Sequence, residues 1–415
     1  IILAAFNTAN AESIKWLHLF GEDSSQYPNM VRAVEEFEAK TGHTVVMQYL
    51  ENESFKAKLP TMLQSNDRPD IFYSWGGGVM YDQARAGFLR DVSSVVPDSY
   101  LDTVSAAAAD AFTFEGQRVG LPLQVSQVAW WYNKDLMSQA GVDVSQIKMW
   151  DDLLGAVKQI KAAGITPICM GGKDKWPVHF VWTHLHIRNG GKGLFLESLN
   201  NGGWDRPEYI RSGEQMLELV ELEPFQKGWL AATWPDQAGF FGDGKCAMAF
   251  MGNWMYGAQA SNSASGEGLA DANMGMFNMP MTSGGIGDSG DTLGGINGWL
   301  FSSTASDAAV ELMMHYVSLD IQKEDASNGA YIPIVKGADG SLTNPFLQQV
   351  AKNISNSEYH QIFYDQFLGA DIGRVVNDVS TDLAAGIISA EEACLLYTSD
   401  AADEGLGVDL GGRRI

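Results

Sequence analysis

Cysteine is scarce: three residues, at positions 169, 246 and 394, stand in a chain of 415. That is too few and too scattered for a disulfide framework or a CxxC metal site. Cys169 and Cys246 lie in apolar, strand-like runs (TPICM and CAMAFM) and read as small buried hydrophobes. The sequence leaves a bridge between them open. Positive charge is also short, with 27 Lys plus Arg against 51 Asp plus Glu and a net charge of −24. An excess of that sign repels phosphate backbones and anionic lipid, which argues against nucleic-acid binding and peripheral membrane attachment. Long apolar runs are missing, and nothing approaches the ~20 residues of a membrane span. A hydrophobic share of 45% with 19% charged residues is ordinary globular composition and excludes a disordered chain.

What the chain does have is aromatic surface and alternation. It carries 12 Trp, 13 Tyr and 19 Phe, which serve cores and ligand pockets alike. Its opening, Ile1-Ile2-Leu3-Ala4-Ala5-Phe6 followed by Asn7-Thr8-Ala9-Asn10-Ala11, resembles the end of a secretory signal with a small-x-small cleavage pattern. Export is therefore expected, with residues 1–13 a signal remnant or tail. No Cys follows that run, so no lipoprotein anchor is expected. Strand-like segments at Ile14–Phe20, Thr44–Leu50 and Asp70–Trp75 alternate with helical patterns at Pro28–Lys40 and around Phe55, Leu59, Met62 and Leu63. Pro60 falls inside the second pattern and predicts a kink or a late start. Further strands are expected at Val128–Asn133, Thr166–Met170, Cys246–Met251, Met274–Met279 and Ile296–Ser302. Helices are expected at Lys134–Gln139, Asp151–Ala162, Glu208–Leu222 and Asp307–Ser318, with three more helical patterns running to Ala385. The alternation argues for an α/β fold with a mainly parallel sheet, whose ligand sits beyond the carboxyl ends of the strands. The loops at Gly21-Glu22-Asp23 and Trp75-Gly76-Gly77 occupy such ends.

Five passages, in this order, carry a resemblance: IKWLHLF…VEEFEAKTGHTVVMQYLEN, RPDIFYSW, GLPLQVSQVAWWYNKDLMSQAGV, GITPICMGGKDKWP, and GDGKCAMAFMGNW with LGGINGWLFS. Across about residues 14–393 the chain resembles the extracytoplasmic solute-binding proteins of ATP-binding-cassette importers, the maltose-binding-protein-like sugar binders. The resemblance implies a two-lobed α/β periplasmic binding protein fold of type II, with a hinge and a ligand cleft between lobes. It divides the chain into an N-terminal lobe of 14–122 plus 273–320 and a C-terminal lobe of 123–272 plus 321–393, with crossings near Pro122, Ala272 and Asp320. The expected partners are a sugar or oligosaccharide and the membrane permease subunits of an importer. The receptor itself is expected to be a periplasmic monomer that uses no nucleic acid, cofactor or metal and performs no catalysis.

A pyranose presents apolar C–H faces, met by an indole or phenol, and a rim of hydroxyls that want polar side chains. Trp75, Trp176, Trp254 and Trp299 sit at strand ends or Gly-rich turns and are the candidate stacking rings. Trp16 and one of the pair Trp130/Trp131 are expected in the core, because neighbouring strand residues point to opposite faces. Trp150, Trp204 and Trp229 read as packing residues. Candidate polar contacts are Glu22 at the end of the first strand, Gly76 beside Trp75, Gln124 and Gln127 past the first crossing, Lys173 and Asp174 in GGKDKW, Asn297, and Tyr364 with Asp365 in a late helix. Maltose-binding protein has a glutamate where this chain has Ser126, which removes a charge from the expected pocket. A glycosidase, or a binding protein for a polyamine or other non-sugar solute, are the rival readings.

Other motifs are set aside. GGKD at Gly171–Asp174 is no P-loop, since Asp174 follows the Lys. His179, His184 and His186 read as structural, because residues two apart on a helix face different ways. Asp288 and Asp291 lack the ligand density of a calcium loop. Cys394–Ile415 changes style and reads as a non-native tail without function that packs poorly.

Overall fold

In the computed structural model the described residues are 11–403, with side chains described as far as 396. Residues 1–10 of the expected signal remnant and 404–415 of the expected tail lie outside them. The chain divides into two compact units. The first takes residues up to Gly76, Met80–Val125 and Ile296–Thr343; the second takes Gly77–Val79, Ser126–Gly295 and Asn344 onward.

The first unit is built on a mixed sheet. The strand Ser13–His18 runs parallel to Thr44–Tyr49, in register from Ser13 opposite Thr44 to His18 opposite Tyr49. It is also parallel to Ile71–Ser74. Two helices make these crossovers, as parallel pairing requires. Tyr27–Thr41 begins with a proline in its first turn and ends at Gly42, whose positive φ of 74° closes the helix through an N–H to the Glu38 carbonyl. Asn52–Gln64 starts under the Glu51 carboxylate, which caps the N–H groups of Glu53 and Ser54. It neither starts late nor stops at Pro60, which lies inside it near its carboxyl end. Ile71–Ser74 then pairs antiparallel with Gly298–Phe301. Trp16, Leu17, Phe55, Ile71, Phe72, Trp299 and Tyr316 fill the core beneath the sheet.

In the second unit the strand Gly120–Asn133 continues through Val128–Tyr132, antiparallel to Met248–Gly252. Its other edge pairs with Met274–Phe277. Both faces of this strand are covered: Trp130 packs on Phe250 and Phe277, and Trp131 on Phe346. Both indoles are therefore buried, rather than one of them. The expected strand Thr166–Met170 is reduced to isolated bridges from Ile168 to Phe225 and Met248. This segment is also where Cys169 is joined to Cys246, with Cα atoms 5.6 Å apart and 77 residues between them in sequence. The two residues are thus one crosslink, not two separate hydrophobes. Trp176–Asn201 is broken at Gly191, whose backbone leaves the helical region.

The unit boundaries differ from the expected crossings. The first falls at Val125/Ser126 rather than near Pro122. The second falls at Gly295/Ile296 rather than near Ala272, because Met274–Phe277 is held as an edge strand against Trp130–Asn133. The third falls at Thr343/Asn344 rather than near Asp320, because Ile321 is buried in the first unit's core and Gln322 donates to the Leu123 carbonyl. The tail reading also needs correction at its start. Cys394 is buried on the helix Ala390–Asp403, and burial pushes its thiol up to about 12.

Candidate ligand-binding site

The first unit assembles a polar group around Tyr73. The strand Ile71–Ser74 carries Tyr73 inward, and its ring meets Phe20 at 5.2 Å, Trp75 at 5.4 Å and Trp299 at 5.3 Å, edge to face in each case. Gln124 donates from Nε2 to the Tyr73 hydroxyl at 2.8 Å. Gln26 in turn donates to Gln124 Oε1 at 3.4 Å. Burial raises the Tyr73 phenol well above its ordinary range, while hydrogen bonds from Gln124 and Asn297 pull it the other way. Gln124 presents its N–H to the Tyr73 oxygen, and a donor there favours the phenolate. Trp75 is partly buried, with Phe55 at 5.8 Å on its edge and the Lys56 ammonium 5.3 Å from its ring. Gly76 follows at φ 68°, a conformation a side chain would strain, and its N–H is held by the Ser74 hydroxyl.

Two candidates of this unit fall elsewhere. The first strand ends at His18, so Glu22 lies beyond it, exposed, in the turn closed by the Ser24 N–H to the Gly21 carbonyl. Trp299 pairs across the sheet with Tyr73 and is fully buried among Trp16, Phe20 and Tyr316. It is a core residue with no face left for a ligand.

The second unit assembles indoles. Lys175, at φ 64°, turns the chain into the helix that begins at Trp176, and its ammonium reaches Asp378 at 2.5 Å. Trp176 is buried to 7% exposure and stands between two partly exposed rings, Trp234 at 5.7 Å and Trp254 at 6.3 Å. Phe180 and Phe363 also pack on Trp254, at 6.2 and 6.0 Å. Trp254 lies back over Gly252, where a Cβ would fall within the indole. The turn before Trp176 is pinned by backbone contacts: the Gly171 N–H goes to Gln237 Oε1 and the Lys173 N–H to the Ala232 carbonyl. Asp174 accepts the Trp234 N–H at 2.7 Å, at the amino end of the helix Trp234–Gly242, so its charge supports that helix. The Lys173 side chain is exposed.

Three remaining candidates are engaged inside this unit. Gln127 is buried and tied to Asn253, Asn278 and Asn353. Tyr364 is core, packed on Phe195 at 5.1 Å and His186 at 5.9 Å, which removes it from the candidates. Asp365 accepts from Gln366 and Asn377 and lies 3.7 Å from His179. The histidines themselves are buried, and burial holds His186 down at about 3. Among the described residues no cluster of His, Cys, Asp and Glu is arranged to hold a metal, and no helix is long and apolar enough to cross a membrane.

Sequence reasoning missed Trp234, Tyr73 and Gln26. Trp234 carried a signal, since Thr233-Trp234-Pro235-Asp236 forms a capping box that places an indole in the first turn of a helix. Tyr73 shares a strand face with Trp75 by alternation. Gln26 had none.

With this geometry in place, the chain is found to belong to the bacterial extracellular solute-binding protein family, whose model matches residues 21–324. It is 24% identical over 206 residues to an uncharacterized ABC transporter extracellular-binding protein of Pyrococcus horikoshii, covering 49% of this chain and 46% of that protein. It is 21% identical over 275 residues to the multiple sugar-binding protein of Streptococcus mutans, covering 61% of this chain and 62% of the other. The first of these alignments spans about half the length of that curated relative. Among solved structures, one from work on xylan utilization by the thermophilic bacterium Caldanaerobius polysaccharolyticus superposes with a TM-score of 0.86 at 23% identity, over 93% of this chain and 99% of that one. A chitin oligosaccharide binding protein gives 0.85 at 23% identity, over 95% and 99%. These likenesses establish the α/β fold.

Proposed function

We propose that the protein is a periplasmic receptor that binds a neutral sugar or oligosaccharide, closes about it like a hinge, and delivers it intact to the permease of an ATP-binding-cassette importer. The observation that carries this reading is the indole group of the second unit, in which Trp254 and Trp234 stay partly exposed on either side of Trp176. Exposed indoles cost free energy in water, and the flat C–H face of a sugar ring offsets that cost. At ~25 cal/mol per Å², covering an indole face contributes on the order of 2 kcal/mol. The names of the relatives support the same substrate class, since they include a multiple sugar-binding protein and a chitin oligosaccharide binding protein. Two compact units joined by more than one passage of the chain support hinge closure, which a ligand drives only by binding the closed form better than the open one. The disulfide supports an oxidising compartment. We take the receptor to act as a monomer, without catalysis. A glycosidase needs two carboxyls set across the bond, whereas the family and the relatives named above are binding proteins. A polyamine site would want carboxylates where the first unit offers amides and a phenol.

Calorimetric titration with xylotriose, chitotriose, maltotriose and raffinose tests the proposal. At least one is expected to bind saturably and to be recovered uncleaved, with Trp254→Ala weakening it by tenfold or more. Failure of all four to bind, or accumulation of cleaved sugar, overturns it.

A further inference from the structure

The turn that delivers Trp176 is held against its own backbone preference. Lys175 stands at φ 64° and ψ −46°. The left-handed region open to a side chain lies at positive ψ, so Lys175 falls outside it, near the rare and strained γ conformation. A glycine would take up that conformation at far lower steric cost. The residues on either side fix the path. A Cβ on Gly171 would meet the Thr233 carbonyl oxygen at 2.6 Å, and one on Gly172 the Trp229 ring at 2.5 Å. The Lys173 N–H is bound to the Ala232 carbonyl, the Lys175 N–H to the Gly172 carbonyl, and the Asp174 carboxylate accepts the Trp234 N–H. On the far side Trp176 begins its helix with Pro177 in the first turn, and its ring lies 5.4 Å from Phe180 as well as against Trp234 and Trp254. The Lys175 ammonium closes the turn from outside, on Asp378 of the helix Ala370–Ala384, and Arg374 shares the same carboxylate. The Lys175 and Asp378 side chains are 48% and 35% exposed. An ion pair so open to water contributes little stability, less than the strained backbone takes away. The lysine is therefore not there to stabilise the fold, and an outlier of this kind points to a function.

We infer that Lys175 is a positioning residue for ligand binding: its side chain, held on Asp378, keeps the strained turn in place, and the turn wedges Trp176 between Trp234 and Trp254 so that those two rings stand ready before a ligand arrives. The inference rests on the reading of this indole group as the ligand's platform, and goes beyond it by naming what sets the platform's posture. Rings already fixed in the free protein need no ordering when the ligand binds. With glycine at 175 the backbone relaxes, Trp176 gains freedom to shift, and part of the binding free energy goes into restoring its place. Trp176 is only 7% exposed, so it acts through the two rings it supports rather than by a large face of its own.

The test uses whichever of xylotriose, chitotriose, maltotriose and raffinose binds the intact protein, with calorimetry for affinity and melting of the unliganded protein for stability. Lys175→Gly relieves the strain and is expected to weaken binding about five- to tenfold, while the melting temperature rises or falls by no more than about 3 °C. Lys175→Met keeps the stem without the charge and is expected to weaken binding about threefold, whereas Lys175→Arg still reaches Asp378 and stays within about twofold of the unaltered protein. A lysine that merely supports the fold would do the reverse, lowering the melting temperature with affinity unchanged. Unchanged affinity in Lys175→Gly overturns the inference, as does a loss of affinity that comes with a larger fall in melting temperature, or a Lys175→Arg as weak as Lys175→Met. In each of these cases the saccharide reading stands so long as Trp254→Ala weakens binding. If the unaltered protein binds none of the four sugars, or Trp254→Ala leaves affinity unchanged, both fall.

Discussion

The two units bury most of their indoles but differ in the surroundings of those left partly exposed. In the first, Trp16 and Trp299 meet edge to face at 5.0 Å, both fully buried, with Tyr316 packed on each, and Trp75 is left partly exposed. Among the described residues of this unit, Gln26 Oε1 and Asn297 Oδ1 are buried without a partner. In the second, Trp234 and Trp254 remain partly exposed. There Gln127, Asn278 and Asn353 close a ring of amide hydrogen bonds. An aromatic residue becomes a platform only where a glycine or a helix end leaves one of its faces uncovered.

The contrast breaks most sharply at Arg188. Its guanidinium is buried in the second unit and solvated by the carbonyls of Met279, Asp288, Ser289 and Asp291. Burial lowers it to about 10, with Asp291 and Asp288 opposing, so it stays charged at neutral pH. Arg188→Met leaves those carbonyls unpaired and is expected to cost about 3–5 kcal/mol in a urea melt, confined to the second unit. A uniform loss across both units' tryptophan signals would contradict the division. Next comes the crosslink: Cys169→Ser with Cys246→Ser opens a 77-residue loop and is expected to cost roughly 2–5 kcal/mol, again in the second unit alone.

Acid separates the units by a step of comparable size. Burial, the dominant cause, lowers His18 to about 4 in the first unit and His360 to about 4 and His186 to about 3 in the second, with His184 lowered as well. A histidine held neutral in the fold and near 6.5 in the unfolded chain lets the unfolded chain bind more protons below pH 6.5. Stability is then lost as pH falls from about 6.5 toward 4, at about 2 kcal/mol per histidine by pH 5. Asp325, in the first unit, works the other way. Burial raises it to about 6, so the folded state takes up its proton first and gains stability as pH falls from 6 toward 4. Melting followed from pH 7 to pH 5 should therefore show the second unit weakening first; equal weakening would sink the assignment. Smallest of all is Pro60→Ala. Pro60 is exposed inside a helix, and restoring the missing N–H should stabilise the first unit by about 1 kcal/mol, read as a small rise in its melting temperature.

Much of the architecture was legible because it is periodic. The parallel strands and their two crossover helices announce themselves by alternation and by Gly42, and Lys134–Gln139 matches its expected limits residue for residue. Thr166–Met170 has a strand's composition yet only Ile168 bridges, because local pattern cannot report whether a partner lies along the whole edge. Site residues were harder still. Trp75 and Trp299 look alike in sequence, each at one end of an apolar run and next to a glycine, but Trp299 pairs opposite Tyr73 and so turns into the core. Tyr364 was lost to the core in the same way. Gln26 was invisible because what singles it out is an unpaired oxygen, a property of three-dimensional neighbours and not of spacing.

The glycine beneath Trp254 has a consequence for how this surface can change. Any side chain at position 252 would occupy space the indole already fills, while Trp254 gains its posture only from that vacancy. Enlarging residue 252 would therefore displace the outer edge of the Trp254 ring. A bulkier residue there would tilt the indole instead of leaving it in place, so the least conspicuous residue of this turn sets the posture of its largest ring.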